Sequence, residues 1–298
     1  MCTCFVDAGV AGNFTAHQAY SNISLGSSLT ASKHKYGLYG LPGSLPPTIV
    51  WSSKRDVLVQ ERSKVELTKY GQLILRNPKS TQQWSAELSG IAVAYGAMLD
   101  TGNFVLASHD SSNLWESFDH PKDTILPTQT MNQGSKLVAS ISDTNYSSGR
   151  FMFTLETDGN VVMYTTDFPL GTTNYAYWST QTSVDGGFQL YYNRFGHIYI
   201  EADNRRIANE IISNNEIVSP NFSESVILDY DGIFRHYIYY LNNSDSSVGQ
   251  WSSWSNLPPN ICWQLRDQQP VALAASIASA VWEMIRERSV IALPDTPS

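Results

Sequence analysis

The sequence predicts an all-β protein, on three observations. Between Leu25 and Tyr240 the chain reads as short β-branched and aromatic runs punctuated by Gly, Asn and Asp. Charged residues make up 15% of the 298 and aromatic residues 12%, with 16 tyrosines and 8 tryptophans, a balance that suits half-buried strands. A third sign is a unit that recurs, in which a glycine-led turn is followed by an alternating strand.

The unit appears as "LTKYGQLILRN" (67–77), "AMLDTGNFVLAS" (97–108), "TLETDGNVVMYT" (154–165), "YYNRFGHIYIEA" (191–202) and "ILDYDGIFRHYI" (227–238). Gly71, Gly102, Gly159, Gly196 and Gly232 mark the turns, at spacings of 31, 57, 37 and 36 residues. A glycine at each turn suits a backbone that needs positive φ. Such a unit cannot bury its own apolar face, so the units must pack around a shared core. The long gap between Gly102 and Gly159 divides them into two groups, with a join near "LPTQTMNQGSK" (126–136).

The flanks read differently. Residues 1–21 lack periodicity and are expected to be disordered. Residues 22–131 are assigned to a first domain, 132–250 to a second, and 251–298 to a Trp/Pro segment with an Ala-rich tail. In that tail "VALAASIASAVW" (271–282) predicts a short helix. It is too short to span a bilayer.

Composition excludes several classes. A net charge of −8 and no Lys/Arg run argue against a nucleic-acid partner. Cys2, Cys4 and Cys262 form neither a disulfide framework nor a zinc site. The six histidines show no metal-ligand spacing, and no cofactor is expected. No P-loop, GxSxG, HExxH or protein-kinase signature occurs. The first 20 residues lack the basic and apolar regions of a secretory leader. Sequons at Asn13, Asn22, Asn145, Asn221 and Asn242 nevertheless lean toward secretion, and the last four are the glycosylation candidates.

"ETDGNVVMY" (156–164) carries the candidate chemistry. Read as a strand, it places Glu156, Asp158, Asn160, Val162 and Tyr164 in one row. Two carboxylates, an amide and a phenol around an apolar patch are suited to gripping several hydroxyl groups. The bland alternative is a hairpin turn with a solvated face, since Asp-Gly-Asn is common turn chemistry.

These residues resemble the mannose-binding motif Q-x-D-x-N-x-V-x-Y of bulb-type lectins. "TIVWSSKRD" (48–56), "LDTGNFVL" (99–106) and "LWESFDHPKDTILPTQ" (114–129) are similar, in order, to the extracellular part of plant G-type lectin receptor-like serine/threonine kinases. The likeness covers roughly residues 22–263. It implies tandem β-prism domains, each of antiparallel four-stranded sheets around a pseudo-threefold axis. It also implies an extracellular or cell-surface setting, mannose-type glycans or glycoproteins as partners, and a possible receptor partner. The family carries more sequence between Ala31 and Thr48, so the first prism is expected to be incomplete. "NICW" is followed by the Ala-rich tail in place of a cysteine-rich module, and the chain reads as a relative truncated before the kinase.

Carried over residue by residue, the family motif assigns sugar contacts to Glu156, Asp158, Asn160, Val162 and Tyr164. Glu156 departs from the motif's Gln: it keeps the acceptors and loses the amide donors. Asn103, with Val105, is the remnant of a second site. The other three repeats have lost the motif. Asp229 and Asp231 share a strand face as a glycosidase pair would, with a solvated strand edge as the alternative. The expected function is a non-catalytic, mannose-class lectin module with a recognition or signalling role. The alternative is a receptor-derived protein-interaction module with degenerate sugar sites.

Overall fold

The computed structural model describes residues 22–26, 28–30, 51–53, 55–56, 60–88, 93–167, 171–182, 187–213, 222–240 and 251–261. The predicted tail helix, Cys2, Cys4 and Cys262, and the sequons at Asn13, Asn221 and Asn242 lie outside these residues. What they form is nearly all β.

The first strands are β1 (Asn22–Ser24), β2 (Ser28–Thr30), β3 (Lys64–Leu67), β4 (Leu73–Arg76) and β5 (Gln82–Ser85). β6 (Tyr95–Met98), β7 (Phe104–Ala107) and β8 (Asn113–Glu116) follow. After a 3-10 turn at Ser117–Asp119 come β9 (Thr124–Ile125), β10 (Thr130–Asn132) and β11 (Lys136–Ser140). Three meanders then succeed one another. They are β12 (Ser148–Leu155), β13 (Val161–Asp167) and β14 (Thr172–Ser179); β15 (Phe188–Tyr192), β16 (Ile198–Ala202) and β17 (Ile207–Ile212); and β18 (Phe222–Leu228), β19 (Phe234–Tyr240) and β20 (Ser252–Leu257).

Each meander of three antiparallel strands takes a fourth strand from the segment that precedes its group. Those leading strands are dealt out in reverse. In the second group β9 joins the last meander, β10 the middle one and β11 the first. The first group repeats the rule: β1 joins β6–β8, and β2 joins β3–β5.

The second group is a three-sided prism. Leu137, Phe153 and Met163 from one sheet meet Met131, Leu190 and Ile200 from another, and Ile125, Val226 and Phe234 from the third. Phe153 and Phe234 stack at 4.7 Å between centroids. The strand text accounts for this: inward residues alternate along every strand, so three apolar faces close on one axis. One polar cluster is enclosed with them. His236 Nε2 lies 2.7 Å from Glu224 Oε2, to which the Tyr192 hydroxyl also donates at 3.2 Å.

The first group shows two such sheets among the described residues, around Trp51, Leu67, Leu75, Phe104 and Trp115. Trp51, Trp84 and Trp115 pack edge-to-face at 5.5–6.2 Å. Pairing with the second group begins earlier in the chain than the boundary drawn at residue 131, because β9 and β10 already belong to second-group sheets. Leu126, between them, packs in the first-group core.

Arg55 ties the two groups together. Its guanidinium donates to the carbonyls of Tyr146 and Val138 at 2.6 Å each, to Ser140 Oγ at 2.9 Å and to Asp123 Oδ2 at 3.0 Å. Asp56 continues the contact, accepting from the Ser148 amide at 2.7 Å and from its hydroxyl at 2.9 Å. Lys122 lies over the Trp51 ring at 5.8 Å, and burial, with Arg55 beside it, holds its ammonium below the usual lysine range.

Candidate functional site

All five glycine repeats form the same turn. In each, the residue three before the glycine donates its amide to the carbonyl just after the glycine, and accepts the glycine's amide in return. The five glycines have φ between +79° and +86°, the left-handed region that β-carbon-bearing residues avoid. Each turn presents the side chains flanking its glycine at one end of a sheet.

At the third repeat the turn is Glu156 to Asn160, so Glu156 and Asp158 lie outside β13, not on a continuous strand row as the alternation suggested. The bulged turn nonetheless brings Glu156 back beside Tyr164. The Tyr164 hydroxyl donates to Glu156 Oε1 at 2.5 Å. Asp158 Oδ1 accepts the Asn160 amide at 2.9 Å, closing the turn while its carboxylate stays exposed.

Asn160 is oriented by a residue that no motif in the sequence marks. Thr180, on the segment after β14, donates its hydroxyl to Asn160 Oδ1 at 3.0 Å and accepts the Val161 amide at 3.0 Å. One lone pair of the Asn160 carbonyl oxygen is thereby used, and no described side chain accepts from its amide nitrogen. Val162 is only 3% exposed, so it does not present the apolar surface assigned to it for sugar-ring carbons. The side chains that the turn brings together as a candidate site are therefore Glu156, Asp158, Asn160 and Tyr164. Partial burial first, and then the bond to Glu156, push the Tyr164 phenol up to about 12.

The second and fifth repeats are closed by their own side chains. Asn103 is 4% exposed, and its side chain is fully engaged. It donates to Glu116 Oε2 at 2.6 Å and accepts from Ser117 Oγ at 3.1 Å and the Phe118 amide at 3.3 Å. It latches β7 to the segment after β8 and offers no binding surface. At the fifth repeat, Arg235 stands three residues after its glycine, as Val162 does in the third. Its guanidinium donates to both oxygens of Asp231, at 2.8 and 2.6 Å, and to Asp229 Oδ2 at 2.6 Å. Tyr237 donates to Asp229 at 2.7 Å. Asp229 and Asp231 lie in the turn between β18 and β19, not on the strand face that alternation suggests, and both are held by one arginine, an arrangement without a free general acid or base. At the fourth repeat Asn193 caps the Phe195 and His197 amides, and Tyr199 stacks on Tyr191 at 5.7 Å.

Residues 48–142 match the model of the D-mannose binding lectin family. Over 284 residues the chain is 35% identical to the G-type lectin S-receptor-like serine/threonine-protein kinase LECRK3 of Oryza sativa subsp. indica, covering 84% of this chain and 34% of that one. The chain is a relative of the plant G-type lectin receptor kinases. It spans about a third of the length of the rice relatives that it matches. A further relative of this kind, RLK1 of Arabidopsis thaliana, is 36% identical over 166 residues, 51% of this chain and 20% of that one. Among solved structures, the mannose-specific agglutinin of snowdrop (Galanthus nivalis) bulbs aligns with a TM-score of 0.30 at 18% identity, over 43% of this chain and 98% of the agglutinin. Within this receptor-kinase relative, the stretch matched by the family model contains Asn103 and ends before the Glu156–Tyr164 site. Among the described residues no helix is long and apolar enough to cross a membrane.

Proposed function

We propose that the chain is a non-catalytic carbohydrate-binding module for mannose-class glycans, acting in recognition at the cell exterior through one site at Glu156, Asp158, Asn160 and Tyr164. One observation carries this reading. Of the five hairpins, only the third keeps an acid, an amide and a tyrosine at the motif's places, as Asp158, Asn160 and Tyr164, and there Asp158 stays exposed. The match to a mannose-binding lectin family supports the ligand class. A few hydrogen bonds, each worth about 1 kcal/mol net, make a monosaccharide a weak ligand, on the order of millimolar.

The test is a titration of the full, 15N-labelled chain with methyl-α-mannoside, followed by NMR beside an Asn160→Ala control. Saturable shifts at residues 156–164 in the parent alone support the reading. A well-dispersed spectrum that does not move removes the sugar site and favours a protein-interaction role.

A further inference from the structure

We infer that the Glu156 site selects a saccharide bearing a free ammonium group, an amino sugar, over its neutral counterpart; this rests on the site being a sugar site at all. Two independent observations lead there.

The first is the chain's own internal comparison. The third and fifth repeats place the same chemistry at the same offsets from their glycines: acid, acid and tyrosine as Glu156, Asp158 and Tyr164, and again as Asp229, Asp231 and Tyr237. In both, the tyrosine donates to the first acid, at 2.5 and 2.7 Å. In the fifth repeat the arrangement holds a cation, the Arg235 guanidinium, within 2.6–2.8 Å of both carboxylates. In the third repeat the residue at Arg235's place is Val162, which is buried. Among the described residues no basic side chain contacts Glu156 or Asp158. The electrostatics agree: Glu156 and Asp158 both raise the Tyr164 phenol with no opposing cation, whereas Arg235 opposes the rise at Tyr237.

The second observation is the balance of donors and acceptors. The Tyr164 hydroxyl proton is spent on Glu156, and one of the two lone pairs of the Asn160 carbonyl is spent on Thr180. What the four side chains still offer a ligand is the Asn160 amide nitrogen as donor, against the lone pairs of two carboxylates, a phenol and the Asn160 carbonyl. An ammonium brings three donors and a positive charge to this surplus of acceptors. A neutral hydroxyl brings one donor and an acceptor that finds few partners.

The experiment compares methyl α-mannoside, its 2-amino-2-deoxy analogue and the N-acetylated form of that analogue, titrated into the full chain and followed by NMR at residues 156–164. The amino sugar is expected to bind about tenfold more tightly than the mannoside, and N-acetylation, which removes the charge, should abolish the gain. Glu156→Gln restores the amide donors and should reverse the preference toward the mannoside. Equal binding of all three, or a preference unmoved by Glu156→Gln, overturns the selectivity while leaving the sugar site standing. Failure of every saccharide, with shifts on adding Nα-acetyl-arginine amide, overturns both and makes the site a receptor for a protein side chain.

Discussion

Tyr164 and Glu156 are joined by a 2.5 Å hydrogen bond across a bulged turn, with the phenol donating and the carboxylate accepting. The bond fixes the only proton that Tyr164 has, and so determines what the site still offers a ligand.

This bond carries a signature at alkaline pH. The folded Tyr164 phenol is held up at about 12, whereas an unfolded tyrosine ionises near 10. Between these values the unfolded chain has lost a proton that the folded chain keeps. Stability is therefore intact below pH 10 and falls as pH rises toward 12. Burial holds Tyr177 and Tyr192 up as well, which adds to the same slope. Urea midpoints at pH 9, 10 and 11 should decline in order. In absorbance titration near 295 nm, Glu156→Gln should bring one late tyrosine back toward 10.

Gly232 and Gly134 separate steric from conformational strain. Both have positive φ, +81° and +79°. A β-carbon at Gly232 would meet Phe151 Cδ1 at 2.6 Å, whereas one at Gly134 meets nothing within 4 Å. Gly134→Ala should cost about 1 kcal/mol, the left-handed penalty alone. Gly232→Ala adds displacement of a core ring and should cost about 2–4 kcal/mol. Chemical denaturation of the two variants measures the difference.

Asn103 predicts a dissociation between stability and binding. Replacing it by alanine strands Glu116, Ser117 and the Phe118 amide, with an expected loss of about 1–3 kcal/mol. The shifts that a saccharide induces at residues 156–164 should not change. A loss of those shifts in a folded Asn103→Ala protein would place this residue back in a binding role.

Arg55 is 6% exposed, and its ion pair with Asp123 is largely shielded from water. Arg55→Ala leaves that carboxylate without its cation and the Tyr146 and Val138 carbonyls without this donor, at an expected cost of about 3–5 kcal/mol. Lysine should rescue little, because one ammonium cannot replace a planar fork spread over four acceptors. Monitoring tryptophan fluorescence, to which the Trp51–Trp84–Trp115 cluster contributes three of the eight tryptophans, beside far-UV circular dichroism should show transitions that coincide in the parent and separate in Arg55→Ala.

Much of this architecture was legible because glycine and alternation are local signals. The five hairpins follow from Gly71, Gly102, Gly159, Gly196 and Gly232, each in the conformation that its residue type implies. The site was legible only in part. Alternation runs unbroken through a bulged turn, so Glu156 and Asp158 read as strand residues although they belong to the turn. The fate of Asn103 depends on Glu116, thirteen residues on, and that of Asn160 on Thr180, twenty residues on. Neither spacing is a helical or strand period, and nothing local marks it. Arg55 likewise sits in a segment whose partners lie 68 to 91 residues away.

The reverse allocation of the leading strands imposes an order on synthesis. β9 is the first strand of the second prism to leave the ribosome, and its partner β18 is among the last, because Ile125 waits for Val226, about a hundred residues later. At translation rates of about 5–20 residues per second, that wait lasts roughly 5–20 s. Throughout it, and until β19 brings Phe234, the prism has one wall unclosed and its apolar axis open to water. The last meander is thus the closing event of folding, and the growing chain is most exposed to aggregation until β18 and β19 have both emerged.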